Sequence, residues 1–202
     1  PEHVVLEQSS VYGVAQILRF APQLCVDYLP VMVPALIELA TMQRVTAEED
    51  EEEEVGNEGI IENAIFALGM VCHTPQLRES SWGAEGASIS DVASLWLRAL
   101  PFRADETEAR FASRQLCDAV EMGDALILGA EYENMPELLR VIAEVFQMQQ
   151  EEGEGDGSSV HPETLQRMRS ILQQLQSGAV NQELLQNAFS TLTAQQQAVL
   201  RG

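Results

Sequence analysis

Apolar residues recur with a helical period in segment after segment, and no stretch alternates with a period of two. Val11, Val14, Ala15 and Leu18 stand at i, i+3, i+4 and i+7, one face of a helix expected from about Val4 to Phe20. Ala21-Pro22 ends it. Leu29, Met32, Val33, Leu36 and Ile37, extended by Leu39 and Ala40, stripe a second helix over roughly Val26–Met42. Pro30 falls in its first turn, and Pro34 lies inside the pattern, where a bend is expected. Ile61, Ala64, Ile65, Leu68 and Val71 or Cys72 give the face of a third, about Glu58–His73, closed by Thr74-Pro75. Residues 76–88 read as loop. Val92, Leu95, Trp96 and Ala99 mark a fourth, Ile89–Leu100, stopped by Pro101. With no Val-Ile-Thr-rich runs bounded by turns, strands are not expected, and the chain reads as all-α.

The second half carries clearer start and stop signals. Asp105 with Glu108 three residues on resembles a capping box. It opens a fifth helix to about Met122, with Ala109, Ala112, Leu116, Ala119 and Val120 inward and Gly123 at its end. Asn134 is expected to cap a sixth helix, to about Gln150. Pro162 opens a seventh, with Leu165, Met168, Leu172 and Leu175 on one face, and Gly178 ends it. Asn181 caps an eighth, with Leu184, Leu185, Ala188, Phe189 and Leu192. Thr193 and Gln196 form a capping box for a short last helix.

Two segments do not pack. Glu48-Glu49-Asp50-Glu51-Glu52-Glu53-Glu54 is a run of like charge and is expected to be a solvated loop within 47–58. Residues 151–159, with Glu151, Glu152, Glu154 and Asp156, read as a flexible acidic linker. The 202 residues hold 32 acids and 11 bases, all arginine, for a net charge of −21. Such a surface repels nucleic acid and anionic membrane and attracts basic proteins; solubility alone is the plainer reading. Cys25, Cys72 and Cys117 are far apart in apolar stretches, which argues against a disulfide framework. No apolar run nears the roughly 20 residues that span a bilayer. The chain begins Pro1-Glu2-His3, without methionine, and enters an apolar pattern almost at once, so a fragment of something longer is expected.

Internal similarity organises the helices. Residues 16–23 line up with 69–76, a step of 69 − 16 = 53, through Ala21-Pro22-Gln23 and Thr74-Pro75-Gln76. Leu29-Pro30 lines up with Met135-Pro136, a step of 135 − 29 = 106, twice 53. A 53-residue step exceeds the usual HEAT length of about 40–47 residues, the excess sitting in the acidic loop and in 76–88. The expected architecture is a HEAT-repeat α-solenoid of about four helix pairs (1–46, 57–101, 104–150, 160–202). Gln173, Gln174, Gln176, Gln182, Gln186, Gln195, Gln196 and Gln197 crowd the last pair, as a polar capping repeat requires. A bundle without repeats is the alternative.

Catalytic machinery is not expected. His3, His73 and His161 have no partner at metal-ligand spacing, and adjacent Cys72 and His73 would point to different helix faces. There is no phosphate loop, and acids in a solvated run are not tuned by burial. Neither a metal nor a cofactor is expected.

Leu95-Trp96-Leu97-Arg98-Ala99-Leu100-Pro101-Phe102, then Ile127-Leu128-Gly129 with Asn134-Met135-Pro136 and Ile142-Ala143-Glu144, then Leu192-Thr193-Ala194-Gln195-Gln196-Gln197-Ala198, come in an order similar to the extreme C-terminus of the importin-β family, in its karyopherin beta-three (importin five) branch. Val11-Tyr12-Gly13 with Tyr28-Leu29-Pro30 resembles that branch's preceding repeat. The resemblance implies a nuclear transport receptor, moving between cytoplasm and nucleus as a monomer. It would bind basic cargo on an acidic inner face and Phe-Gly nucleoporins between outer helices, and the GTPase Ran would release the cargo, mostly by contacts nearer the N-terminus. The candidate cargo-binding residues are Glu48, Glu49, Asp50, Glu51, Glu52, Glu53 and Glu54, with Glu151, Glu152, Glu154 and Asp156 as a second patch. The 47–58 loop is more acidic, and 76–90 longer, than the branch's pattern. A HEAT scaffold subunit unrelated to transport is the other reading.

Overall fold

The computed structural model describes residues 2–43, 57–80, 88–152 and 159–201, and among these every regular element is helical. The chain divides into two compact units, residues 1–99 and 100–202.

In the first unit, α1 (Glu2–Phe20) leads through 3-10 turns at Pro22–Leu24 and Val26–Tyr28 to α2 (Leu29–Ala40). Then come α3 (Glu58–His73), one-turn α4 (Pro75–Arg78) and α5 (Ile89–Ala99). The second expected helix therefore starts at Leu29 rather than Val26: Asp27 and Tyr28 belong to the tighter turn, and Pro30 sits where its missing N–H costs nothing. Helix α2 runs on through Pro34, which is exposed. It buries Leu29, Val33, Leu36 and Ala40.

Helix α3 is the core of this unit. It packs against α1, α2 and α5. Its whole length from Ile60 to Cys72 is buried, not the single stripe expected from the sequence. Neighbours on several sides leave no face for solvent, and Ile60, Phe66 and Met70 fill the positions off the stripe. Asn63 is buried there and its Nδ2 donates to the Gln8 carbonyl of α1 at 3.2 Å, a polar peg between the two helices. Trp96 of α5 is 0% exposed and meets the His73 ring edge-on at 4.6 Å. It lies over Gly69, where a Cβ would come within 2.5 Å of the indole Nε1.

The second unit holds α6 (Glu106–Glu121), one-turn α7 (Ala125–Leu128), a 3-10 turn at Ala130–Tyr132 and α8 (Met135–Glu152). Helix α9 (Pro162–Gln174), a π turn at Leu175–Ala179, α10 (Gln182–Ser190) and α11 (Ala194–Arg201) complete it. Helix α6 packs on α9, and α8 on both α10 and α11. Asp105 caps α6 by accepting the Glu108 N–H at 2.9 Å, and Asn181 caps α10 by accepting the Glu183 N–H at 2.8 Å. Both halves of the Thr193–Gln196 box are made: Thr193 Oγ1 accepts the Gln196 N–H, and Gln196 Oε1 accepts the Thr193 N–H.

Asn134 stands at the expected helix start and also makes contacts the sequence did not suggest. Its Nδ2 donates to the Ile127 carbonyl at 2.9 Å and its N–H to the Leu128 carbonyl at 3.0 Å. Its carbonyl accepts the Leu138 N–H at 3.0 Å, so it holds the N-cap position of α8 while its side chain ties α7 to the start of that helix.

The sequence steps fall on structural boundaries. α1 ends at Phe20 and α3 at His73, a separation of 73 − 20 = 53, each followed by a proline-led turn. α2 begins at Leu29 and α8 at Met135, a separation of 135 − 29 = 106.

Candidate protein-binding surfaces

The acidic run Glu48–Glu54 lies outside the described residues, as do Glu154 and Asp156. Glu151 is exposed near the end of α8, whose last residue is Glu152. What the described residues show is how the arginines are used. Arg140 donates to Glu137 at 2.7 Å, to Glu144 at 3.0 Å and to the Leu100 carbonyl. Burial opposes its charge, but the hydrogen bonds to Glu137 and Glu144 outweigh it and hold the guanidinium above its ordinary value. Glu144 also accepts from Gln196, tying α11 to α8. Cations engaged with acids of the fold in this way do little to offset the rest of the negative charge.

Arg167 of α9 reaches across to α6. Its Nη2 meets Asp118 at 2.6 Å and Glu121 at 2.7 Å, and its Nε meets the other Glu121 oxygen at 2.9 Å. The hydrogen bond from Arg167 holds the Glu121 carboxyl below its usual range. Beneath the pair, burial pushes the Cys117 thiol up to about 12, so it stays protonated and inert. A depressed carboxylate stabilises the fold above its unfolded value near 4.5, and that contribution is lost as pH falls through the lower folded value. Both acids are over 40% exposed, so the clamp stabilises by only about 1 kcal/mol. Arg167→Gln is expected to lower stability by that amount at pH 7 in denaturant titrations. The gap to the parent should narrow as pH falls below 4.5 through the lowered Glu121 value; a gap that stays constant throughout acid titration would show that the lost contact is packing rather than the ion pair.

Two further surfaces were not foreseen from the sequence. In the first unit, Leu6, Phe20, Leu24, Tyr28 and Val31 stand in solvent, Phe20 at 72% and Val31 at 75% exposure. Among the described residues beyond position 42, only Met122 and Tyr132 are comparably exposed large apolar side chains. Large apolar side chains exposed in this number in one unit are candidates for contact with another protein surface. Of the glutamines expected to make a polar cap, Gln173, Gln174, Gln176, Gln182, Gln186 and Gln195 are exposed, whereas Gln196 and Gln197 are half-buried and donate to Glu144 and to the Leu192 carbonyl.

In the second unit, a groove of about 390 Å³ lies between the 132–136 segment and α10. Met135, Pro136, Leu184 and Ala188 supply its apolar lining; Glu133 and Glu183 are exposed at its rim. Gly129, with φ of 78°, turns the chain into this segment, and Glu131 and Tyr132 both follow with positive φ, 53° and 65°. A left-handed conformation costs a non-glycine residue roughly 1–2 kcal/mol, so the surrounding hydrogen bonds must hold it. Those of Asn134 to α7 do so, together with the Tyr132 N–H to the Gly129 carbonyl.

Among the described residues no group of three or more His, Cys, Asp or Glu could hold a metal ion, and no helix is long and apolar enough to cross a membrane. No protein-family model matches the chain.

Proposed function

We propose that this chain is a HEAT-repeat segment of a nuclear import receptor that captures basic protein cargo electrostatically and surrenders it when Ran-GTP binds upstream repeats. The observation that carries the reading is the charge: 32 acids against 11 arginines and no lysine, seven of the acids in the single run Glu48–Glu54. A field of that sign draws basic partners and speeds their association.

The solenoid part of the proposal has its own support. Helix ends recur at 53 residues and helix starts at 106, as a chain of repeating helix pairs would have them. Phe-Gly nucleoporins would be partners of the whole receptor, and its place would be the cytoplasm and the nucleus.

The run is tested by replacing all seven acids at 48–54 with glutamine or asparagine and measuring binding of a histone or a ribosomal protein by fluorescence anisotropy. Exposed charge pairs contribute about 0.2–1 kcal/mol each, so several lost together should weaken binding at low salt by tenfold or more and flatten its salt dependence. Unchanged affinity at low salt would leave the run as a solvated loop and remove it from the cargo site.

A further inference from the structure

We propose that the groove between the 132–136 segment and α10 is a peptide-binding site that takes an apolar anchor, of leucine size or larger, flanked by arginine or lysine. The proposal goes beyond cargo capture by diffuse charge, and it does not depend on nuclear transport. It assigns a defined pocket and a defined side-chain pattern.

Three observations converge on it. The first is the groove's chemistry. Its lining is mostly apolar, through Met135, Pro136, Leu184 and Ala188, and its volume of about 390 Å³ falls in the range of small-ligand sites, about 300–1,000 Å³. An apolar side chain gains by leaving water there, whereas a charged head would lose its hydration against those residues.

The second is the charge of the rim. Glu133 and Glu183 come from the two sides of the groove, one before α8 and one in the first turn of α10, and no cation lines it. Asn187 adds an exposed amide able to hydrogen-bond a peptide backbone, and Asn181, whose Oδ1 caps α10, adds its Nδ2 as a donor. A peptide with acids beside its anchor would be repelled at the rim, and one with bases attracted. That asymmetry selects the flanks.

The third is the backbone. Glu131 and Tyr132 are held in left-handed conformations, and Tyr132, the second of the pair, lines the groove. Strain of this kind persists where its surroundings over-determine it, and it clusters at ligand clamps. Here the hydrogen bonds of Asn134 to Ile127 and Leu128, with that of the Tyr132 N–H to the Gly129 carbonyl, hold the backbone of the turn at the groove's edge before any ligand arrives. Preorganisation lowers the entropic cost of binding.

The test uses two fluorescein-labelled peptides of equal charge, each with two arginines on either side of a central pair, which is leucine-leucine in one and serine-serine in the other. Fluorescence anisotropy against the whole chain should show the leucine peptide binding at least tenfold more tightly. Leu184→Asn should abolish that preference. Asn187→Trp, which crowds the groove from its exposed rim without removing an apolar lining residue, guards against misfolding and should abolish it too. The double variant Glu133→Gln/Glu183→Gln should weaken both peptides and flatten their salt dependence while keeping the leucine preference. Equal binding of the two peptides would overturn the proposal, and so would a leucine preference that survives both groove variants. Because the peptides carry the same charge, these outcomes are independent of whether the 48–54 run binds cargo.

Discussion

Trp96→Ala is expected to cost the first unit roughly 3–5 kcal/mol, the range for emptying a large aromatic site in a packed core. The indole is fully buried between α5 and α3 and stacks edge-on with His73. Its Nε1–H has no hydrogen-bond acceptor among the described residues. A cavity left there touches α3, the one helix that α1, α2 and α5 all pack against, so its loss spreads to every neighbour. Trp96→Phe should cost much less, because it keeps most of the ring volume and removes the unpartnered donor. Urea titrations followed by circular dichroism read both. A loss for Trp96→Ala below about 1 kcal/mol would mean that the site can collapse and that α3 is not the keystone.

Gly69→Ala sets two effects of opposite sign against each other at the same spot. Alanine is the better helix former by about 1 kcal/mol, so in an open helix the change would stabilise. At position 69 the new Cβ would lie 2.5 Å from Trp96 Nε1 and 2.6 Å from Cδ1, closer than real contacts allow, and the buried indole has little room to retreat. Overpacking of this kind costs about 1–3 kcal/mol, so the net effect is a loss of about 1 kcal/mol. The diagnostic result is a reversal. In the Trp96→Ala background the steric conflict is gone, and Gly69→Ala should stabilise. A double-mutant cycle in which the two changes simply add would contradict the packing described for α3 and α5.

How far the fold could be read from the chain depended on the kind of signal each element carries. The span Glu58–His73 was legible to the residue, because an apolar period of 3.6 runs between an acidic start and Thr74-Pro75. The caps at Asp105, Asn181 and Thr193 were legible because capping is local chemistry over three or four residues. Burial around the full circumference of α3 was not, since a stripe count ignores Ile60, Phe66 and Met70, and only packing on several sides explains them. Helix α7 is a single turn, too short to show a period, and its presence redirects the Asn134 side chain. The groove joins Tyr132–Pro136 to residues about fifty positions later, a juxtaposition no local pattern encodes. One local hint did exist: Gly129 followed by Glu-Tyr-Glu-Asn at 131–134 sets one aromatic between two acids in a turn.

One binding measurement tests the proposed receptor role most directly. The proposed receptor, of which this chain would be a segment, is mixed with a labelled histone or ribosomal protein at physiological salt, and anisotropy is followed as Ran loaded with GTP is added, with Ran-GDP as the control. A receptor should show binding that weakens steeply with salt and is lost with Ran-GTP but not with Ran-GDP. Binding that ignores the nucleotide on Ran would contradict an import receptor and leave a helical scaffold in its place.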